Sequence, residues 1–443
     1  MGAAYNSQER SPALQCLPGT RKEVLEKISA WANGAQGRPI CWLFGPAGAG
    51  KSAIAQTVAE TYAGRNQLAA SFFFGRTAAH RNEVKNLFPT IAVQITLSAP
   101  EKRQRLDEIL NNDPFVTERA LGSVDLLASL LEGYSASLSC TPSPFLVVVD
   151  ALDECQRNDD QCWILAQVAR MVHIHHPPLR FLIVSRPEAH ICEAFEERDL
   201  VNITKVVSLY GDYQASSDIS MYLRSEFSRI YDSKRYRDVM EFVPRPWPSE
   251  DIIERLVRKS GGCFSYVATV IKFIDEEYAS PAARLDQVLG ILDSSVLVEE
   301  LIPFAELDQL HIQILSSYPA SQLPMLKHIL GYVVMPSVQQ CMDSASIEHI
   351  LDLPPGQMRL TLRGLRSLVS FKGLFETPVL IQASFGDFLL DKARAKHYHI
   401  DFEEWIYTTF CYAFSQACRL LDPHHCASLR LEGQFLSPFR LIS

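Results

Sequence analysis

Gly45-Pro46-Ala47-Gly48-Ala49-Gly50-Lys51-Ser52 fits the pattern G-x-x-x-x-G-K-[ST] without a mismatch. From average residue usage, its fixed positions would arise by chance in a chain of this size on the order of one time in a hundred. The flanks narrow the reading further. The apolar run Ile40-Cys41-Trp42-Leu43-Phe44 predicts a buried strand, and Ser52 to Tyr62 predicts a helix. Strand, glycine loop and helix in that order build a phosphate cradle. Gly45, Gly48 and Gly50 let the backbone turn tightly and aim its N–H groups at one point, where the positive end of the helix adds to the attraction for phosphate. Lys51 would then reach the β- and γ-phosphates of a nucleotide, and the Ser52 hydroxyl would ligate Mg²⁺.

A second run, Phe145-Leu146-Val147-Val148-Val149-Asp150, is unbroken in apolar residues until its terminal carboxylate, as a central parallel strand covered on both faces requires. Ligands of such sheets bind at the carboxyl ends of the strands, the edge on which the glycine loop must open. Asp150 would hold Mg²⁺ directly or through water, and Asp153 or Glu154 would orient or deprotonate a water near the γ-phosphate. The plainer reading is an acidic loop that starts a helix. Phe181-Leu182-Ile183-Val184-Ser185-Arg186 is a further buried strand. If it lies beside the first strand, Arg186 would sense the γ-phosphate; otherwise it is a cap or an ion-pair partner.

The remaining segments fit around these. Residues 1–20 are polar, with Pro12, Pro18 and Gly19, and read as a surface lead-in to a helix from about Thr20 to Trp31 with Thr20 as its N-cap. Leu68 to Phe74 reads as a second buried strand, Val84 to Leu97 as a helix, and a polar helical region extends to about Leu138. Gln161 to Val172 reads as a helix and Val201 to Leu209 as a fifth strand, so strands alternate with helices as in a three-layer parallel α/β sheet. After Leu209 the strand signal stops and residues 216–275 carry helical periodicity. Ile347 to Leu351, a Leu353-Pro354-Pro355-Gly356 turn, Met358 to Leu368 and the runs Val369 to Phe375 and Val379 to Ile381 give the outline of a winged helix. Residues 395–443 read as helical and aromatic.

Composition excludes some functions. With 42 basic against 51 acidic residues, the chain is mildly acidic, which argues against nucleic acid or an anionic membrane as its main partner. The N-terminus has no apolar signal segment and narrowly misses a myristoylation pattern, and no apolar run is long enough to span a bilayer. The 11 cysteines form no C-x-x-C pair and read as free thiols in a reducing compartment, so a cytoplasmic location is expected. His173, His175 and His176, like His424-His425-Cys426, lack further ligands at useful spacing and do not read as a metal site. Arg359, Arg363 and Arg366 would stripe one helix face, which in an acidic chain reads as a solvated or packing face.

Together these motifs resemble fungal NACHT proteins of the nephrocystin-3-like N-terminal group, within the STAND P-loop NTPases. The resemblance rests on Pro18-Gly19-Thr20-Arg21, GPAGAGKS at 45–52, SFFFGR at 71–76, VVVDALDEC at 147–155 and IVSRPEAHI at 183–191. It continues through YGDYQASSDISMYL at 210–223, WPSEDIIERLVRKSGGCFSYVATVIKFI at 247–274, LDQLHIQIL at 307–315 and ASFGDFLLD at 383–391. It implies an ASCE-type parallel sheet of order 5-1-4-3-2, followed by a helical domain, a winged helix and a helical arm. The corresponding boundaries are a lead-in and helix at 1–36, the nucleotide-binding domain at 37–212, a helical lid at 213–298, the winged helix at 299–392 and a helical segment at 393–443. It further implies a switch closed with ADP that opens and self-associates with ATP in the presence of Mg²⁺ and hydrolyses slowly; GTP remains open. The nucleotide cradle would comprise Gly45, Pro46, Ala47, Gly48, Ala49, Gly50, Lys51 and Ser52, with Arg21 near the adenine.

Two departures from the family pattern matter. Relatives usually carry a His before the ASF segment that clamps the ADP β-phosphate; here that position is Gln382, which donates a hydrogen bond but carries no charge, so a leaky resting state is expected. Neither an effector domain before the sheet nor repeats after it are seen, so the chain reads as a regulatory core, a fragment or a truncated product. Two other functions stay open, a scaffold with structural nucleotide and an AAA+-like motor. The hydrolysis rate separates them.

Overall fold

Alternate residues of each predicted strand point to opposite faces of the sheet, and the two sets enter two separate cores. In the computed structural model, Ile40 and Trp42 pack with Phe72, Val147, Val149, Phe181 and Ile183 in one apolar cluster. Cys41 and Leu43 pack with Phe73, Leu146, Val148, Leu182 and Val184 in the other. This is why the strands read as unbroken apolar runs. The structure describes residues 2–10, 13–34, 37–76, 81–98, 100–113, 127, 130, 145–210, 214–276, 279–294, 305–316, 318–335, 342–372 and 377–420. The expected helical region from 114 to 138 (apart from 127 and 130), the His424-His425-Cys426 tract and the end of the C-terminal segment lie outside the described residues.

The strands are β1 (Ile40–Phe44), β2 (Leu68–Phe73), β3 (Phe145–Asp150), β4 (Leu179–Ser185) and β5 (Thr204–Ser208). They form a parallel sheet in the order β2-β3-β4-β1-β5, which is the implied 5-1-4-3-2 arrangement. One face is covered by α1 (Lys22–Asn33) and α2 (Lys51–Gly64), whose Ile28, Trp31, Ile54, Val58 and Tyr62 enter the core. The other is covered by α3 (Leu87–Ser98), α4 (Pro100–Asn112), α5 (Asn158–His175) and α6 (Ala189–Glu196). Helices continue with α7 (Ala215–Tyr231), α8 (Glu250–Ser260), α9 (Phe264–Ile274), α10 (Pro281–Ser294) and α11 (Ala305–Ser316). The chain is thus a three-layer P-loop NTPase fold followed by helical structure. Among the described residues no helix is long and apolar enough to cross a membrane.

Several local expectations are corrected. Thr20 does not cap α1: its hydroxyl donates to the Leu17 carbonyl at 2.8 Å, and the helix starts after Arg21, whose φ of 57° is left-handed. The lead-in is not merely a surface segment, because Ala3 and Ala4 are buried and the Ala3 carbonyl accepts from the N–H of Phe73 at 2.9 Å. Small residues bonded through their backbone leave no periodic signal. The helix predicted at 358–368 is α14 (Gln357–Leu362) followed by a 3₁₀ turn, Arg363–Leu365. Arg359, Arg363 and Arg366 therefore do not share one α-helical face.

The chain divides into two compact units, Met1–His311 with Gln382–Ser384, and Ile312–Ile381 with Phe385–Ser443. The second unit contains α12 (Leu323–Val334), α13 (Ser344–Ile350), α14, an antiparallel hairpin of β6 (Val369–Lys372) and β7 (Thr377–Leu380), most of α15 (Ala383–Leu390), and α16 (Phe402–Leu420). Glu348 ties its helix–turn–helix together by accepting from the N–H groups of Gly356 and Met358 at 3.0 and 2.9 Å. The Trp405 indole of α16 donates to the His328 carbonyl at 2.8 Å. It lies so close to Gly331 that a Cβ there would overlap the ring. Burial among Tyr332, Trp405 and Tyr412 pushes the His328 imidazole down to about 4.

Candidate functional site

The loop leaving β1 turns on Gly48 and Gly50, with φ of 72° and 86°, values that a side chain at either position would resist. Pro46, Ala47 and Gly48 are half-buried, and Gly45 and Ala49 are buried. The Lys51 ammonium folds back onto its own loop, donating to the carbonyls of Gly45 and Pro46 at 2.8 Å each. Burial pulls its pKa down to about 8, with Asp153 the largest opposing charge. Ser52 opens α2 beside it.

Strand order brings the other predicted residues to the same edge. β4 lies directly against β1 with Ser185 opposite Phe44, and β3 lies on the far side of β4. Asp150, at the tip of β3, is 3% exposed and hydrogen-bonded to the Ser52 side chain. Its Oδ1 is buried without a hydrogen-bond partner. Burial raises the Asp150 pKa to about 6. Ala151 then takes a left-handed φ of 55°, which turns the chain sharply into the 3₁₀ turn Leu152–Glu154.

That turn separates the two following acids. Asp153 accepts from the Arg186 backbone N–H at 2.9 Å and from its guanidinium Nε at 3.1 Å. Glu154 instead accepts from the backbone N–H of Arg76 at 3.0 Å, at the end of β2. Burial and the nearby Asp153 charge raise the Glu154 pKa. Asp153 and Arg186 are thus each other's partner, while Glu154 is held by a group that the sequence reading did not single out. The SFFFGR stretch supplies it.

The first turn of α9 also meets the glycine loop. The Ser265 N–H donates to the Gly48 carbonyl at 3.1 Å, and a Cβ at Gly48 would run into Cys263 and Ser265. Arg21 is 4% exposed and donates to the Ala49 carbonyl at 2.6 Å; its guanidinium lies 4.6 Å over the Phe264 ring, and its backbone N–H donates to Asp218 at 2.9 Å. Gln382 reaches the same turn of α9. Its amide donates to the Ser265 carbonyl at 3.3 Å and accepts from the Thr269 hydroxyl at 3.1 Å. Gly261 and Gly262 ahead of Cys263, with φ of 53° and 84°, turn the chain into this covering turn.

A glycine loop after the first strand, an acid-ended third strand and an arginine-ended fourth, all on one parallel sheet of this order, define a P-loop NTPase. Residues 19–186 match the family model described as nephrocystin 3, N-terminal, a span that holds the loop, Asp150, Asp153, Glu154 and Arg186. No curated protein matches the chain. Among solved structures, PCH-2 of C. elegans is similar at 15% identity with a TM-score of 0.36, covering 66% of this chain and 75% of that one. A structure of Drosophila ORC bound to DNA matches at 14% identity and a TM-score of 0.40, covering 82% and 90%. Cdc6p from Pyrobaculum aerophilum matches at 15% and 0.37, covering 83% and 93%.

Proposed function

We propose that this chain is a nucleotide-dependent switch of the NACHT/STAND class, holding ADP in its resting form and exchanging it for ATP with Mg²⁺ to self-associate. The observation that carries the reading is the convergence of Gly45–Ser52, Asp150, Asp153–Arg186 and Glu154 on one sheet edge, with the first turn of α9 laid on the loop. The donor set suits a metal–nucleotide complex. A buried carboxylate oxygen without a protein partner beside a serine hydroxyl is what a hard divalent cation takes up together with phosphate oxygens. The chemistry that Mg²⁺ would supply there is positive charge against the phosphate oxygens. Ser52 and Asp150 would hold it, and Lys51 would leave the Gly45 and Pro46 carbonyls for phosphate.

In this reading residues 37–212 bind the nucleotide, 213–298 form the lid, and 299–392 serve as a winged-helix packing module, with 1–36 before and 393–443 after them. Arg186, paired with Asp153, would register the γ-phosphate, and Glu154 is the candidate for orienting water. Gln382 acts on the cradle at one remove: it holds the Ser265 carbonyl while the Ser265 N–H holds Gly48. A neutral amide makes that latch weaker than an imidazolium would. Gln382→His is therefore expected to raise ADP affinity about fivefold, the difference between a neutral and a charge-assisted hydrogen bond. ATP turnover should be slow in both proteins. Unchanged ADP affinity would overturn the latch; sustained fast turnover, or retained nucleotide with no hydrolysis, would replace the switch by a motor or a scaffold.

A further inference from the structure

The segment 2–10 lies along the outer edge of β2, and Arg10 at its end is among the charges that act on Asp150. Its Ala3 carbonyl accepts from the Phe73 N–H at 2.9 Å, and the Tyr5 N–H donates to the Ser71 hydroxyl at 2.9 Å. Arg10 is then turned inward. Its guanidinium stacks 3.4 Å over the Phe73 ring and donates to the Gln56 side chain at 2.7 Å and to the Tyr5 carbonyl at 3.2 Å. Gln56, 1% exposed, donates back to the Tyr5 carbonyl at 3.0 Å.

Both anchors of Arg10 adjoin the proposed metal site. Phe73 is the register partner of Asp150 on the neighbouring strand, so the two side chains share a sheet face. Gln56 lies one turn beyond Ser52 on α2, on the same side of that helix. The cation is therefore carried to the rear of the Ser52–Asp150 pair by two residues adjacent to it. Glu60, which accepts from Gln56 at 2.7 Å, Asp150 and Arg81 are the charges around it.

We propose that Arg10 is a counter-charge to Asp150, and that the arm 2–10 reports whether a divalent cation occupies the Ser52–Asp150 pair. This rests on the nucleotide-site reading above. With no metal, the half-buried Arg10 guanidinium and the Lys51 ammonium are the cations that act on the buried Asp150 carboxylate. A divalent cation on Asp150 adds two positive charges to the site that Arg10 faces, so the arm loosens from β2 and Gln56. Coupling is reciprocal: whatever the metal does to the docking of the arm, the arm does to metal affinity. Arg10 touches neither metal nor nucleotide in this account. It is a positioning residue, and the arm is the element that it moves.

The test is amide hydrogen exchange of the full chain without nucleotide, with ADP and EDTA, and with ADP and Mg²⁺. Exchange at Tyr5, Arg10 and Phe73 should rise about fivefold or more only when Mg²⁺ is present, the low end of ordinary coupling between sites. In Arg10→Gln that Mg²⁺ dependence should disappear, and the Mg²⁺ midpoint for ADP retention should fall by the same factor. ADP binding with arm exchange unchanged or slowed by Mg²⁺ in the wild-type chain would overturn the proposal while leaving the nucleotide site standing. Failure to bind ADP under any condition would remove the nucleotide-site reading and this inference with it. The wild-type comparison decides even if the variant does not fold.

Discussion

Asp153 shows how far a single residue was legible. An acid three positions past Asp150 reads as a group near the γ-phosphate, and Arg186 reads as a sensor of the same phosphate. Their mutual pairing could not be read, because it depends on how the left-handed Ala151 and the 3₁₀ turn after it aim the Asp153 side chain at Arg186. The Asp153 side chain is 3% exposed and holds Arg186 through two hydrogen bonds. Asp153→Ala would take both of these bonds from a partly covered guanidinium and should cost about 3 kcal/mol of stability. Asp153→Asn keeps the shape and an acceptor for the Arg186 N–H, so it should cost about half as much. Denaturant midpoints with unchanged slopes would measure both. Equal, negligible losses would mean that the pair does not form in solution.

At the scale of elements, β1 and β3 were legible to the residue because two buried faces demand unbroken apolar runs. β4 starts earlier than predicted, at Leu179, because Arg180 looked like a terminus. It is instead buried, with its guanidinium donating to the Trp31 and Gly34 carbonyls at the end of α1. β2 is an edge strand that reads as a buried one, and the reason is cover supplied from outside the sheet. On its open side the arm bonds Phe73, and the Gln94 amide of α3 pairs with Ser71 like a neighbouring strand, accepting from its N–H at 3.0 Å and donating to its carbonyl at 2.8 Å. Gln94→Met, which keeps the volume and loses both bonds, should cost about 1–3 kcal/mol in thermal or chemical unfolding. A neutral Gln94→Met would show that packing alone closes this edge.

For the whole molecule, the sequence made the nucleotide site easy to find and its coverings hard. The loop and the acid-ended strand are contiguous motifs whose chemistry dictates their residues. Arg10, Arg76 and Ser265 come from distant segments, and each reaches the site through a backbone group or another side chain, which leaves no local pattern; Gln382 was legible only through the family resemblance. The central claim is that Gly45–Ser52 with Asp150 forms a working Mg²⁺–nucleotide site. Its most direct test is binding of a fluorescent ADP analogue with Mg²⁺ to the wild-type chain, Lys51→Ala and Asp150→Ala, each first checked for folding. Saturable binding by the wild type, weakened at least about tenfold in Lys51→Ala and made insensitive to Mg²⁺ in Asp150→Ala, is the predicted result. Absent binding, or equal binding by all three folded proteins, would contradict it.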